Sequence, residues 1–344
     1  MQLKQTYNTD FFNISVTTNN HFIADSIKSY FSIYDNISFN KKPVFYIKFD
    51  ISVIKKLKKM ITDEVSANKK NSAEYIVKSH NGRFPVKERF RIFETGKKKV
   101  FVNFYNGFCS MNIDFNDKND IKANCEVDRP ERCGLDFFPN FIILAALEII
   151  FKYYGLFFIH SSLVSNEKFG ILIPGSSGSG KTTLEFYLSS IGFKLITDDK
   201  SFCGIEKNNA VCRGILQPTD IIKKKDTFLI KSGFAEKIIQ QHEDNGRLII
   251  IKKFNPEYID DKTQVRLILF PEIGDKFKAR ILSKNDALIR LFRTSVTPGF
   301  SINLKKHFHI LNNLVENSET YSIVLTKDYS FFYKFLKKRF LEKL

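Results

Sequence analysis

The chain has 344 residues, 43% hydrophobic and 26% charged, a balance that fits a globular protein of about two domains and excludes a disordered chain. Lys and Arg number 54 against 37 Asp and Glu, a net charge of +17 that favours anionic partners such as nucleotide, nucleic acid or a membrane surface. Thirty-six Phe with no Trp, and much Lys, Asn and Ile, read first as coding bias. The runs KKLKK (Lys55–Lys59), GKKKV (Gly96–Val100) and KKKD (Lys223–Asp226) are short and lack the interleaved aromatics of an RNA-reading strand.

In chain order, the polar opening MQLKQTYNTD has no signal-peptide pattern. The spacing of HFIADSIKSYF (His21–Phe31) predicts a helix. Alternating apolar residues predict strands over Pro43–Ile51, Phe90–Gly96 and Lys99–Gly107. Asn116–Arg132 is largely polar and ends in the turn-prone DRPER, so a boundary is placed just after it. This gives a β-rich domain over 1–135 and a second domain over 136–344. Phe141–Ile159 is apolar but interrupted by Glu148, Lys152 and a Tyr-Tyr-Gly break, too broken for a membrane span. It reads as a buried helix (Phe141–Tyr153) followed by a strand (Leu156–Val164). Then come a strand at Phe169–Pro174, a helix at Thr182–Ile191, a strand at Phe193–Thr197, and a hairpin of Ser201–Ile205 and Ala210–Leu216 turning at Asn208-Asn209. Strands follow at Arg247–Lys252 and Gln264–Phe270, helices at Asn285–Phe292 and Leu304–Val315, a strand at Thr320–Asp328 and a basic terminal helix.

The five cysteines (109, 125, 133, 203 and 212) are odd in number with no C-x-x-C, so neither a disulfide framework nor a zinc site is expected, and a reducing cytoplasm fits best. His307 and His309, two apart, would share one face of a strand. With no third ligand nearby they are not taken as a metal pair.

The chemistry gathers around Gly175-Ser176-Ser177-Gly178-Ser179-Gly180-Lys181-Thr182, which satisfies G-x-x-x-x-G-K-[ST]. Glycines let successive N–H groups converge on phosphate oxygens, and the following helix adds the positive end of its dipole. Lys181 would reach the β- and γ-phosphates, and the Thr182 hydroxyl would meet Mg2+. A guanine-reading N-K-x-D is absent, as is an LSGGQ-like signature. RLILFPEI (Arg266–Ile273) is set aside as an acidic strand end because Pro271 interrupts it and no Asp precedes Glu272. Asp198-Asp199 follow Lys181 by seventeen and eighteen residues. If their strand lies beside the loop's strand, one carboxylate can hold Mg2+ and the other can accept a proton from an attacking hydroxyl. The plainer alternative is that the pair caps a strand end. His160, twenty-one residues before Lys181, reads equally as a core histidine or as a group that orients an active-site carboxylate.

His160, the loop and Asp198-Asp199 together resemble the kinase domain of the HPr kinase/phosphorylase family and, more broadly, the phosphoenolpyruvate carboxykinase-like P-loop fold. That family's Glu-x-Arg-Gly motif is matched in part by Val211-Cys212-Arg213-Gly214, with Val211 in place of the Glu. Its later Pro-x-Arg-Pro-Gly-Arg region finds only Pro298-Gly299 within Ser295–Phe300. The resemblance covers about Ile142–Ile215, more thinly to Asp328, and not the first ~130 residues. It implies an α/β fold, an HPr-kinase C-terminal-like P-loop domain with a mixed sheet; the alternating apolar segments before it read separately as a β-rich α+β N-terminal domain that would serve recognition. The resemblance further implies an ATP- and Mg2+-dependent kinase acting on a serine hydroxyl of a protein or precursor peptide, as in diverged members that tailor lasso peptides. By resemblance, Asp198 is the catalytic base and acid, His160 assists it, and Arg213 is the retained arginine of the catalytic set. Gly175 to Thr182 with Thr183 hold the nucleotide, which leaves Asp199, with Thr182, for the metal. Family members form oligomers, so a homo-oligomer is a further expectation. Membrane and nucleic acid are not expected partners. Two alternatives stay open: a small-molecule kinase on the same fold, and a nucleotide-sensing regulator that binds nucleic acid through the +17 charge.

Overall fold

The structure is a computed structural model. It describes residues 2–9, 11–35, 37, 42–54, 66, 74–78, 88–96, 98–104, 108–132, 137–222, 238–244, 248–296 and 302–342. The lysine runs at 55–59 and 223–226, Cys133, residues 297–300 of the Ser295–Phe300 stretch and the expected domain boundary at 135/136 lie outside the described residues. The fold is mixed α/β, with mixed sheets and few helices. The chain divides into two compact units, Met1–Gly155 with Thr297–Leu304, and Leu156–Val296 with Lys305–Leu344.

The first unit is an eight-stranded sheet built from β1 (Leu3–Asn8), β2 (Phe12–Thr18), β3 (Phe45–Val53), β4 (Glu74–Lys78), β5 (Glu88–Gly96), β6 (Lys99–Phe104), β7 (Cys109–Asp114) and β8 (Ile121–Val127). Its order is β1-β2-β3-β8-β7-β6-β5-β4. Pairs β2–β3 and β3–β8 are parallel; β1–β2 and the remaining neighbours are antiparallel. The period-two pattern is plain in β2, where Phe12, Ile14 and Val16 are buried between half-buried polar residues. Helix α1 (His21–Phe31) starts at Asn20, whose side chain accepts from the Ile23 amide. A π-helical turn (Phe138–Ile143) leads into α2 (Leu144–Tyr153). Phe151 of α2 meets Phe45 at 5.2 Å and Phe12 at 6.4 Å, and Tyr30 donates to Asn140 at 2.8 Å. The apolar helix expected to open the second domain is therefore core of the first unit.

The second unit begins with β9 (Phe157–Ser165), β10 (Gly170–Pro174), α3 (Lys181–Ser190), β11 (Lys194–Thr197), β12 (Lys200–Glu206) and β13 (Asn209–Ile215). It continues through β14 (Thr219–Ile222), β15 (Ile239–Asp244), β16 (Leu248–Phe254), β17 (Lys262–Ile273), β18 (Lys278–Ile281), α4 (Lys284–Thr294), α5 (Leu304–Glu316), β19 (Glu319–Leu325) and α6 (Ser330–Leu336). Strands β14, β16 and β15 form a small sheet of their own. The main sheet runs β10-β9-β12-β13-β17-β19-β18; β11 pairs with β9, and β10 also pairs with β17 in parallel. Helices α4 and α5 seal a core in which Ala287, Leu291, Ile310, Leu311 and Leu314 join Phe157, Leu163, Leu172, Ile196 and Ile268. His307 and His309 lie on α5 rather than on a strand. His307 is buried, stacked 4.5 Å from Phe157, while His309 is exposed.

Two sequence expectations are corrected here. First, β11 does not lie beside β10: β9 separates them, taking β10 on one edge and β11 and β12 on the other. Second, the hairpin turns at Lys207-Asn208, both with positive φ (48° and 68°), closing the ladder at Glu206↔Asn209. That register sets Cys203 opposite Cys212, and the two form a disulfide with Cα atoms 4.2 Å apart, where no disulfide was expected. The symmetry of the two cysteines about the turn was the available signal. Cys109 and Cys125 are buried thiols whose sulfurs lie 3.2 Å apart.

Candidate functional site

β10 delivers the chain into the glycine-rich loop, and Gly180, at φ 97°, turns it into α3. That left-handed conformation explains a glycine there, since an L side chain rarely adopts it. Gly178 (φ 81°) has open space around the position a Cβ would take. Ser176, Ser177 and Gly178 are exposed, whereas Gly175, Ser179 and Gly180 are half-buried. Thr183 lies half-buried in the first turn of α3.

Three elements bring the remaining candidates to this point. Because β9 runs antiparallel to β10, Pro174 pairs with Ser161, and the Gly175 amide faces the His160 carbonyl at 3.5 Å. His160 is the one residue of β9 that is not buried. On the other edge of β9, β11 pairs with residues 163–165 and β12 with residues 157–160. Asp198-Asp199 form the bend between these two strands. They are pinned to β9 by Ser162 Oγ donating to the Asp198 carbonyl (2.6 Å) and by the Ser161 amide donating to the Asp199 carbonyl (3.1 Å). Gly214 on β13 lets β11 approach: a Cβ there would collide with the Ile196 carbonyl oxygen.

The two aspartates face different partners. The Thr182 hydroxyl donates to Asp198 Oδ1 at 2.9 Å. Asp199 Oδ1 lies 3.2 Å from His160 Nδ1, with 31% of its side chain exposed. Lys181 is 7% exposed; its ammonium donates to the carbonyls of Gly175 (2.8 Å) and Ser176 (3.1 Å) and lies 3.0 Å from His160 Nε2. An ammonium can only donate, so Nε2 accepts and the imidazole carries its proton on Nδ1, directed at Asp199. Asp198, Thr182, Lys181, His160 and Asp199 thus form one continuous cluster around the start of α3.

Glu185, one turn along α3, belongs to it as well, and its sequence signal was its spacing of four from Lys181 and three from Thr182 on one helix face. It is buried, and burial together with the Asp198 charge raises its carboxyl well above the ordinary range. Its hydrogen bond to Asp198 raises Glu185 and lowers Asp198, so Glu185 is the protonated partner that donates. Asp198 is nonetheless held above the usual carboxylate range by burial and by the Asp199 charge, against hydrogen bonds from Thr182, Glu185 and Thr219. Burial also lowers Lys181, a shift opposed by Asp199, Asp198 and Glu185.

Arg213 is not brought to this cluster. It pairs across the ladder with Phe202, two strands and two positions away from His160, which is in register with Lys200 and through it with Ile215. Its guanidinium lies 2.7 Å from Glu206 and 3.6 Å from Asp261. Glu272, set aside in the sequence, does reach the loop. β17 runs unbroken through Pro271, past Ile268 where its ladder with β10 ends, and Glu272 lines a cavity beside Pro174–Ser179. Among the described residues no group of three or more His, Cys, Asp or Glu side chains could hold a metal, and no helix is long and apolar enough to cross a membrane.

Among known proteins, no family model and no curated protein matches the chain. Among solved structures it is similar to the Hpr(Ser) kinase/phosphatase from Coxiella burnetii, at 11% identity over 54% of this chain and 88% of that one, with a TM-score of 0.27. A likeness that slight does not by itself establish a common fold or activity.

Proposed function

We propose that the chain is an ATP- and Mg2+-dependent phosphotransferase that carries the γ-phosphate to a serine hydroxyl of a protein or peptide. The supporting observation is the convergence of Lys181, Thr182, Asp198, Asp199 and His160 at a glycine-rich loop and helix start. The residues present fit both implied groups. Gly178 leaves the loop open for a phosphate chain, and a hydroxyl beside a carboxylate suits a hard cation that takes one or two carboxylates and completes its shell from phosphate oxygens. Thr182 and Asp198 would hold Mg2+, which when bound would neutralise charge on the phosphates. Lys181 would exchange the carbonyls of Gly175 and Ser176 for phosphate oxygens.

On this reading the two roles expected for the aspartates are exchanged. Asp198 is enclosed by Thr182 and Glu185 and suits the cation. Asp199 is partly exposed and oriented by the His160 Nδ1–H, so it suits the base that takes the serine proton as the serine oxygen joins phosphorus. The Lys181 ammonium donating to Nε2 leaves the imidazole proton on Nδ1, where it orients the Asp199 carboxylate. Arg213, tied to Glu206 and Asp261, is given no place in the transfer and is read as a strut of the sheet.

The test follows labelled γ-phosphate from ATP into a panel of serine peptides, with Asp199→Asn beside the parent chain. The expected result is label in a serine peptide, a fall in transfer on the order of a hundredfold or more in Asp199→Asn, and an unchanged nucleotide Kd. ATP turnover with no labelled peptide, or full transfer by Asp199→Asn, would refute the reading.

A further inference from the structure

The glycine-rich loop has a second wall. A cavity of about 410 Å3 is bounded on one side by Pro174–Ser179, and on the other by the end of β17 and by Arg290, Arg293 and Thr294 of α4. The arginines are three residues apart, so they lie one turn apart on the same face of α4. They differ in what holds them. Arg290 Nη1 is 3.7 Å from Glu272 Oε1, a single loose ionic contact, and its guanidinium carbon lies 5.7 Å from the centre of the Phe270 ring. Arg293 is exposed, with no ion pair or hydrogen bond to any described residue. Two guanidiniums against one carboxylate, across a cavity from a glycine-rich loop, make a site for an anion.

The geometry also indicates which anion. The loop residues that line the cavity are Gly175 to Ser179, and none of Lys181, Thr182, Asp198, Asp199 and His160 is part of the lining. α4 therefore reaches the loop from a side that the carboxylates leave uncovered. We propose that Arg290 and Arg293 clamp the terminal phosphate of a nucleoside triphosphate, an arginine finger supplied by the chain itself, with Glu272 as the resting partner of Arg290. This rests on the nucleotide reading of the loop. The arginines form and break no covalent bond. They hold charge on the equatorial phosphoryl oxygens while the acceptor oxygen bonds to phosphorus and the bridge to the β-phosphate breaks, the acceptor proton passing to Asp199. Planar guanidiniums suit this duty, since each can meet two oxygens at once.

A clamp on the terminal phosphate must distinguish a triphosphate from a diphosphate, so the test needs no acceptor. Dissociation constants of Mg-ATP and Mg-ADP are measured by titration calorimetry on the full chain and on Arg290→Ala, Arg293→Ala, Arg293→Lys and Glu272→Gln. The expected result is that each alanine variant loses about tenfold or more in ATP affinity with ADP affinity within about twofold. Arg293→Lys recovers part of the loss, and Glu272→Gln, which frees Arg290, tightens ATP alone. Both arginines are at least partly exposed, so their removal leaves the core intact. An unchanged preference for ATP over ADP in both alanine variants, or an equal loss for the two nucleotides, would overturn the clamp and leave the loop's nucleotide reading standing. A parent chain that binds neither nucleotide would overturn that underlying reading, and the clamp with it. Variants with intact nucleotide affinities but a raised KM for a peptide acceptor would assign the arginines to the acceptor instead.

Discussion

Thr182→Val probes the cluster most directly, because valine keeps the shape of threonine and deletes only the hydroxyl. That hydroxyl is 2.9 Å from Asp198 Oδ1. A hydrogen bond to a charged acceptor contributes about 1.5–3 kcal/mol. The lower end applies here, since Asp198 keeps its bonds from Glu185 and Thr219. A loss of about 2 kcal/mol corresponds to about 4–8 °C in Tm for a unit of this size. A second effect appears only with ligand. Mg-ATP at about a hundred times its Kd stabilises by about 2.7 kcal/mol. If the hydroxyl helps to hold the cation, a tenfold weaker Kd removes about 1.4 kcal/mol of that gain. Thermal unfolding followed by circular dichroism, with and without Mg-ATP, separates the two effects. Thr182→Ser should restore both. A valine variant with the parent Tm and the parent ligand-induced shift would refute the reasoning, because a hydroxyl in contact with neither Asp198 nor a cation is the only reading left.

Other expectations concern neighbouring parts of the second unit. Gly214→Ala places a methyl group on the Ile196 carbonyl and Thr197, so it should destabilise the unit by about 2–3 kcal/mol, read as a lower urea midpoint with an unchanged slope; a neutral result would show that β11 and β13 are not packed as described. Glu185 carries a proton in the fold, its carboxyl raised above the ordinary 4.5 by burial and by Asp198. Its contribution is therefore fully present below that value and is lost progressively as pH rises, until the folded group itself ionises. Glu185→Gln removes this titration, so the variant should lose less stability than the parent between about pH 5 and pH 8, measured by denaturant midpoints; equal losses would show that Glu185 is not the protonated partner. His160→Ala should lower phosphate transfer while leaving the Kd of Mg-ADP within about twofold, because its partners are Asp199 and Lys181 rather than the loop amides; a matching loss of ADP affinity would place it in nucleotide binding instead.

Much of this was legible because local rules govern it. His21–Phe31 is a helix where its spacing and its Asn20 cap say so, and the strand, loop and helix around Gly175–Lys181 follow from apolar runs and glycines. What escaped depends on sheet order and on packing at a distance. No local feature says that β9 lies between β10 and β11, nor that α2 packs with the first unit. Pro271 is a strand breaker only where a ladder needs its missing donor, so β17 could run on to carry Glu272 to the loop. Arg290 and Arg293 carry no motif of their own, and only the fold turns their face of α4 to the loop.

The two aspartates show why adjacency in sequence is a poor guide to role. At the bend between β11 and β12 the two side chains diverge, Asp198 toward Thr182 of α3 and Asp199 toward His160. The choice is made by the register of β11 and β12 on β9, through Ser161 and Ser162, and not by the chemistry of the Asp-Asp pair itself. A one-residue slip would move one aspartate into the other's place and put Thr197 or Lys200 in the position it left, so either the base or the cation ligand would be lost. The serines that fix that register therefore govern the chemistry without entering it. Ser162→Ala, which frees the Asp198 carbonyl of its 2.6 Å donor, should lower kcat for transfer while leaving the fold and the ADP Kd in place. An unchanged kcat would mean that β9 fixes the aspartates without it.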